Sequence, residues 1–154
     1  MKHEKDIPCA SVILAVEYIP DKNSICVSLS NRTFIFFDAA SYKLMRKFNL
    51  KFIQKCLCYV RRKKVMFSAQ TDCTVNSWNI EKIFLNSEFE EDINEKNAEK
   101  KDFDYIPYLT DSTPWFITKN SWASCIVDLP NIEHIAIGTY YFMIELWELR
   151  NENQ

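Results

Sequence analysis

Three segments of the 154-residue chain align with one another without a gap, and this internal repeat constrains the fold more than any other feature. The first reads Ala15-Val16-Glu17-Tyr18-Ile19, a polar turn, Ile25-Cys26-Val27-Ser28-Leu29, a second turn, then Thr33-Phe34-Ile35-Phe36-Phe37-Asp38. The second reads Cys56-Leu57-Cys58-Tyr59-Val60, then Val65-Met66-Phe67-Ser68-Ala69, then Thr74-Val75-Asn76-Ser77-Trp78-Asn79. The third reads Cys125-Ile126-Val127-Asp128-Leu129, then Ile135-Ala136-Ile137-Gly138, then Met143-Ile144-Glu145-Leu146-Trp147-Glu148. From Val16 to Phe37, from Leu57 to Trp78 and from Ile126 to Trp147 the separation is 21 residues each time. The polar stretches Pro20-Asp21-Lys22-Asn23, Arg61-Arg62-Lys63-Lys64 and Pro130-Asn131-Ile132-Glu133 fall between β-rich runs, where strands reverse. Each copy is therefore a unit of three short antiparallel strands, and periods of about 40 residues mark repeat architectures.

The pattern resembles the WD repeat, whose third strand ends in an aromatic and acidic pair; here the pair reads Phe37-Asp38, Trp78-Asn79 and Trp147-Glu148. The resemblance runs over roughly residues 11 to 149. Its second copy matches best, because Asp72 lies six residues before Trp78, where the family keeps an Asp that ties down the turn between strands two and three. Asn31 can fill that place in the first copy; Tyr141 cannot in the third. Other marks of the family are missing: no Gly-His pair precedes a first strand, Gly138 is the single glycine, and no copy carries the full hydrogen-bonded set of Asp, His, Ser and Trp.

The resemblance implies an all-β fold of propeller blades, with residues 1–10 as a lead-in, 11–50 as blade one, 51–86 as blade two, 114–149 as an incomplete blade three and 150–154 as a tail. Propellers close with about 4–8 blades. About three blades are too few to close a ring alone, which implies further blades in cis or in trans: a fragment, a truncated product, or a half that assembles.

Between blades two and three lies an insertion. Phe37 to Trp78 is 41 residues but Trp78 to Trp147 is 69, an excess of 28. Residues 87–113 hold it, and Ser87 to Asp104 carries eight carboxylates against three lysines, a net of −5. Such a stretch has too little apolar content to fold alone and reads as an acidic loop, with a partner-binding segment as the alternative. Tyr105-Ile106-Pro107-Tyr108 and Pro114-Trp115-Phe116-Ile117 follow as candidates for the fourth strand of blade two.

Alignment also assigns roles to single side chains. Ala15, Cys56 and Cys125 share one repeat position, the pattern of a small buried core residue rather than a reactive thiol. Phe37, Trp78 and Trp147 recur for packing between strands and blades. None of the six cysteines forms a Cys-x-x-Cys pair, and neither His3 nor His134 stands at a spacing that completes a metal site, so free buried thiols, no metal and no cofactor are expected. Arg61-Arg62-Lys63-Lys64 reads as a solvated hairpin turn.

A net charge of −2 makes nucleic acid an unlikely partner, since coating phosphates needs clustered Lys and Arg. No run approaches the about 20 apolar residues of a membrane helix, and the first residues lack a secretory signal, so the expected setting is the cytoplasm; divergent, glycine-poor WD repeats with a long polar insertion resemble those of large ciliary and axonemal proteins, and that resemblance implies a cilium or the cytoskeleton. A phosphate-cradling glycine loop, His at metal spacing and a Gly-x-Ser-x-Gly turn are all missing. The expectation is a non-catalytic protein–protein interaction scaffold, part of a larger propeller; the alternatives are a ubiquitin ligase substrate adaptor and an RNA-binding module. The family's layout places partner binding on the turn between strands two and three and on the loop entering strand one, which nominates Arg32, Thr71, Trp122, Tyr140 and Tyr141.

Overall fold

Each copy of the repeat forms an antiparallel sheet in which strand order follows chain order. The computed structural model describes residues 3–85, 116–118 and 121–149. Blade one is β1 (Ile13–Ile19), β2 (Ser24–Leu29), β3 (Thr33–Asp38) and β4 (Leu44–Asn49). Blade two is β5 (Gln54–Val60), β6 (Val65–Gln70), β7 (Thr74–Asn79) and the two-residue β8 (Phe116–Ile117). Blade three is β9 (Ala123–Leu129), β10 (His134–Thr139) and β11 (Ile144–Glu148). Strand β5 packs on β1 at one side and on β9 at the other, so the first strands stand side by side in an open row and the later strands fan outward.

The turns repeat as faithfully as the strands. Asn23, Lys64 and Glu133 close the turns after each first strand with φ of 45°, 55° and 54°, and Arg32, Cys73 and Phe142 close those after each second strand with φ of 65°, 68° and 59°. This left-handed backbone costs an ordinary residue about 1–2 kcal/mol and is the usual place for glycine. Here Lys, Glu, Arg, Cys and Phe adopt it instead, which is how a fold full of tight turns is built with one glycine.

Alternation along the strands gives every blade two apolar faces. Between blades one and two lie Phe34, Phe36, Tyr59, Met66 and Trp78, with Phe34 and Trp78 edge to face at 5.1 Å. A short helix, α1 (Ile80–Leu85), follows β7 and adds Ile83 and Phe84 to this core, the latter edge to face with Phe36 at 5.6 Å. Between blades two and three lie Cys56, Cys58, Phe67 and Val75 against Ile126, Ile135 and Ile137. The remaining face of blade one, Val27, Ile35 and Phe37, is covered by Ile7 and Cys9 of the lead-in. The remaining face of blade three leaves Val127, Ile144 and Leu146 exposed.

Several expectations are corrected here. Cys125 is exposed although its repeat equivalent Cys56 is buried, because Cys56 is covered by blade three and no described residue covers blade three in turn. Of the other thiols, Cys26 and Cys58 are buried, Cys9 and Cys73 half-buried. The turn of Arg61 to Lys64 is more than a solvated hairpin: Arg61 reaches Asp21 of blade one at 3.0 Å and Arg62 reaches Asp128 of blade three at 2.6 Å, so it is tied to both neighbours. Phe116–Ile117 pairs with β7, with Ile117 opposite Thr74, so these residues belong to blade two although the boundary at 114 assigns them to blade three. The acidic stretch Ser87 to Asp104, the segment Tyr105 to Tyr108, Trp115 and the tail lie outside the described residues. Among the described residues no helix is long and apolar enough to cross a membrane, and no three His, Cys, Asp or Glu side chains are grouped to hold a metal ion.

Candidate functional site

The residues of the repeat signature hold the blades in shape. Trp78 donates its indole N–H to Ser68 Oγ at 2.7 Å, and Ser68 donates to Gln54 Oε1 at 2.6 Å, all three buried. Gln54 thus completes a relay that the sequence reading missed, because it looked for a histidine. In blade one the same positions are Ile13, Val27 and Phe37, and in blade three Ala123, Ile137 and Trp147, so the side chains that would form the relay are missing there. With no serine to meet it, the Trp147 indole turns to Glu145 at 3.1 Å.

Acidic and amide members of the signature tie down turns. Asp72 accepts from Thr74 N and Thr74 Oγ1 at 3.1 and 2.6 Å. Asp38 accepts from the backbone N–H of Ala40 and Ser41 and from Ser41 Oγ, and the bonds from Ser41 hold its carboxyl below the usual range. Asn79 accepts from Lys82 N at 3.1 Å at the start of α1. Glu148 lies opposite His134 at the outer edge of blade three.

Other carboxylates bridge blades. Glu17 accepts the Tyr59 N–H at 3.1 Å, yet burial outweighs that bond and pushes its pKa up. Asp21 accepts from the Tyr59 hydroxyl at 2.7 Å as well as from Arg61, and its pKa is drawn down chiefly by the Tyr59 bond. Glu81 meets Lys22 at 2.7 Å and Lys64 at 3.5 Å. Burial also pushes the Cys56 and Cys58 thiols up to about 12, so neither is a nucleophile near neutral pH. These groups are arranged to join blades.

One end of the blades differs. Backbone bonds fix the loop entering each first strand to the turn after each second strand: Ser30 N to Val12 O at 2.9 Å, Thr71 N to Ile53 O at 3.1 Å and Tyr140 N to Trp122 O at 3.1 Å. Val12, Ile53 and Trp122 are therefore equivalent, as are Ser30, Thr71 and Tyr140. In blade three alone both members are aromatic, and Trp122 and Tyr140 meet edge to face at 6.3 Å. Lys55 of blade two places its Nζ 5.4 Å from the Trp122 ring centre and 5.8 Å from that of Tyr140. A cation over exposed rings is worth about 0.5–1 kcal/mol. Tyr141, Phe142 and Met143 continue the same turn, all exposed.

Of the five nominated residues, the structure brings Trp122 and Tyr140 into contact and puts Tyr141 in the same turn. Thr71 occupies the matching turn of blade two, and Arg32 that of blade one, two blades away. Lys55 and Phe142 were missed. Lys55 carried no signal, since its repeat equivalents are Leu14 and Ser124 and only blade stacking brings it to Trp122.

Compared with solved structures, the chain superposes on that of U3-55K with a TM-score of 0.63 at 9% identity, covering 93% of this chain and 38% of that one. It matches the RRP9 WD40 repeats equally, at 0.63 and 9%, over 93% of this chain and 37% of that one. A chain of the mitotic checkpoint complex gives 0.60 at 11%, over 90% and 36%. The fold is that of WD-repeat propeller blades. The chain spans less than two-fifths of the length of each of these propeller structures. No protein-family model matches the sequence, and no curated protein does. At 9–11% identity, what the chain shares with these structures is the fold.

Proposed function

We propose that the chain is a non-catalytic protein-interaction scaffold whose partner docks on the turn end of blades two and three. The observation that carries this is the Lys55, Trp122 and Tyr140 cluster, continued by the exposed turn Tyr141 to Met143. Trp and Tyr dominate the energetics of protein interfaces, and loops held on a rigid scaffold are where binding residues concentrate. A suitable partner segment carries an apolar side chain for the rings and a carboxylate for Lys55. No chemical step belongs to this reading, because Glu17, Asp21, Asp38, Asp72, Glu81 and Asp128 are engaged in turns and blade junctions. One of the structural neighbours is itself a component of a mitotic checkpoint complex, which supports a role in a protein assembly. The proposal extends to a cytoplasmic setting in a cytoskeletal or ciliary assembly.

Proximity labelling in cells with the full chain and with Trp122→Ala tests this. A hot-spot side chain contributes at least about 2 kcal/mol, or roughly thirtyfold in affinity. The expected result is a set of labelled proteins that Trp122→Ala and Lys55→Ala both lose, with circular dichroism and Tm unchanged. Labelling that is identical for all three proteins refutes the docking surface. RNA recovered in their place, with affinity falling steeply with salt, would replace the protein partner by a nucleic acid that stacks on the same rings.

A further inference from the structure

Blades two and three each have one face packed by the blade before them, and blade one carries the same face under a different cover. Met66 and Trp78 turn this face of blade two toward Phe34 and Phe36 of blade one, and Ile135 and Trp147 turn that of blade three toward Phe67 and Val75 of blade two. Their repeat equivalents in blade one are Ile25 and Phe37, and among the described residues the side chains over them are Ile7 and Cys9 of the lead-in. That cover is partial. On the first strand, Leu57 and Tyr59 of blade two are 7% and 8% exposed, whereas their equivalents Val16 and Tyr18 are 59% and 51% exposed. The cover is also held by few contacts. Ile7 and Cys9 are the half-buried residues of the stretch 3–10, which forms no strand, and among the described residues no backbone hydrogen bond joins residues 3–11 to blade one. Beyond those two side chains, Lys5 lies over the Tyr42 ring at 5.3 Å and Ser11 Oγ meets Ser30 Oγ at 2.7 Å.

We propose that the lead-in is a displaceable strap, which holds the place of a leading blade on blade one and gives way when a WD-type blade docks there. The occupant follows from the two junctions the chain already makes, since the face under the strap is the one that both of them bury. A blade covers three strands of such a face, as the burial of Leu57, Tyr59, Met66 and Trp78 shows, whereas the strap reaches the second and third strands and leaves Val16 and Tyr18 of the first in solvent. Segments with few buried apolar contacts and no backbone ladder open locally, well below the free energy that separates the blades. Until it is displaced, the strap shields Val27, Ile35 and Phe37, which would otherwise add to an exposed apolar patch. Its own outer residues, His3 to Asp6, are exposed and polar, so the cover is soluble. The strap is independent of the docking surface proposed above, which lies on blades two and three.

Two adjacent positions of β2 test the proposal. Val27→Cys puts a thiol under the strap, while the native Cys26 beside it points the other way, into the junction with blade two, and is fully buried. Timed alkylation of the full chain, read by peptide mass spectrometry, compares the two sites. Position 27 is expected to react at least about tenfold faster than Cys26, because the strap opens while the blades stay together. Adding Ile7→Asp is expected to bring position 27 to the rate of the exposed Cys125 and to leave Cys26 protected. A second copy of residues 51–85 fused ahead of Met1 supplies a leading blade, and position 27 is then expected to slow to the rate of Cys26. Equal rates at positions 26 and 27 in the unfused chain would make the lead-in a permanent cap and overturn the proposal. Loss of Cys26 protection on Ile7→Asp overturns it as well, as does a fused blade that leaves position 27 as reactive as before.

Discussion

Replacing Ser68 with alanine would cut the relay of blade two at its middle. Ser68 is fully buried, accepts from the Trp78 indole at 2.7 Å and donates to Gln54 at 2.6 Å, so the substitution strands a buried N–H and a buried amide oxygen at once. Leaving such a group without a partner costs about 1–3 kcal/mol, and two of them about 2–6 kcal/mol, against a domain stability of about 5–15 kcal/mol. With a urea slope of about 2 kcal/mol/M, the unfolding midpoint should fall by about 1–3 M. The decisive comparison is a double-mutant cycle. Trp78→Phe copies the residue that blade one carries at this position, Phe37, and removes the N–H that Ser68→Ala orphans. The double variant should therefore be less destabilised than the sum of the singles by about 1 kcal/mol, within the range found for residues in one hydrogen-bonded network. Urea unfolding followed by circular dichroism at equal protein concentration measures all four proteins. Additivity within about 0.3 kcal/mol, or a cost of Ser68→Ala below about 0.5 kcal/mol, would refute the reasoning.

Two further substitutions probe the blades. Glu17 has a native pKa raised above 4.5 because burial outweighs its bond from Tyr59, so its contribution to stability is fully present below 4.5 and is lost as pH rises through the native value. Glu17→Gln keeps an acceptor for Tyr59 N and should be flatter in that window and more stable at neutral pH; parallel stability profiles from pH 4 to 8 would contradict this. Glu133 holds φ at 54°, and Glu133→Gly should raise stability by about 0.5–1 kcal/mol, the relief of left-handed strain exceeding the entropy lost, as read from the thermal midpoint.

How far the fold could be read from the chain differs between strands, turns and faces. Strands were legible because alternation is a local property: the 21-residue register from Leu57 to Trp78 survives in β5 to β7, and the polar stretches coincide with the turns. The positive-φ positions were not, because Lys64, Glu133 and Phe142 carry none of the chemistry that marks such turns. Gln54 was passed over for a similar reason, since an amide oxygen does the work expected of an imidazole. Part of the candidate site was visible: Trp122, Tyr140 and Tyr141 follow from repeat position once the WD-repeat resemblance says which end of a blade binds. Lys55 was not, because it reaches Trp122 from the neighbouring blade.

The sequence alone determined that this is a chain of β blades, the first three strands of each repeat and where they reverse, since those depend on neighbours within a few residues; β4 of blade one was not among them. Tertiary structure decided which blade face is covered. Cys56 and Cys125 are the same residue at the same repeat position, yet one is buried and the other exposed. A blade is buried by the blade beside it, and periodicity records that a face is apolar without recording what lies against it.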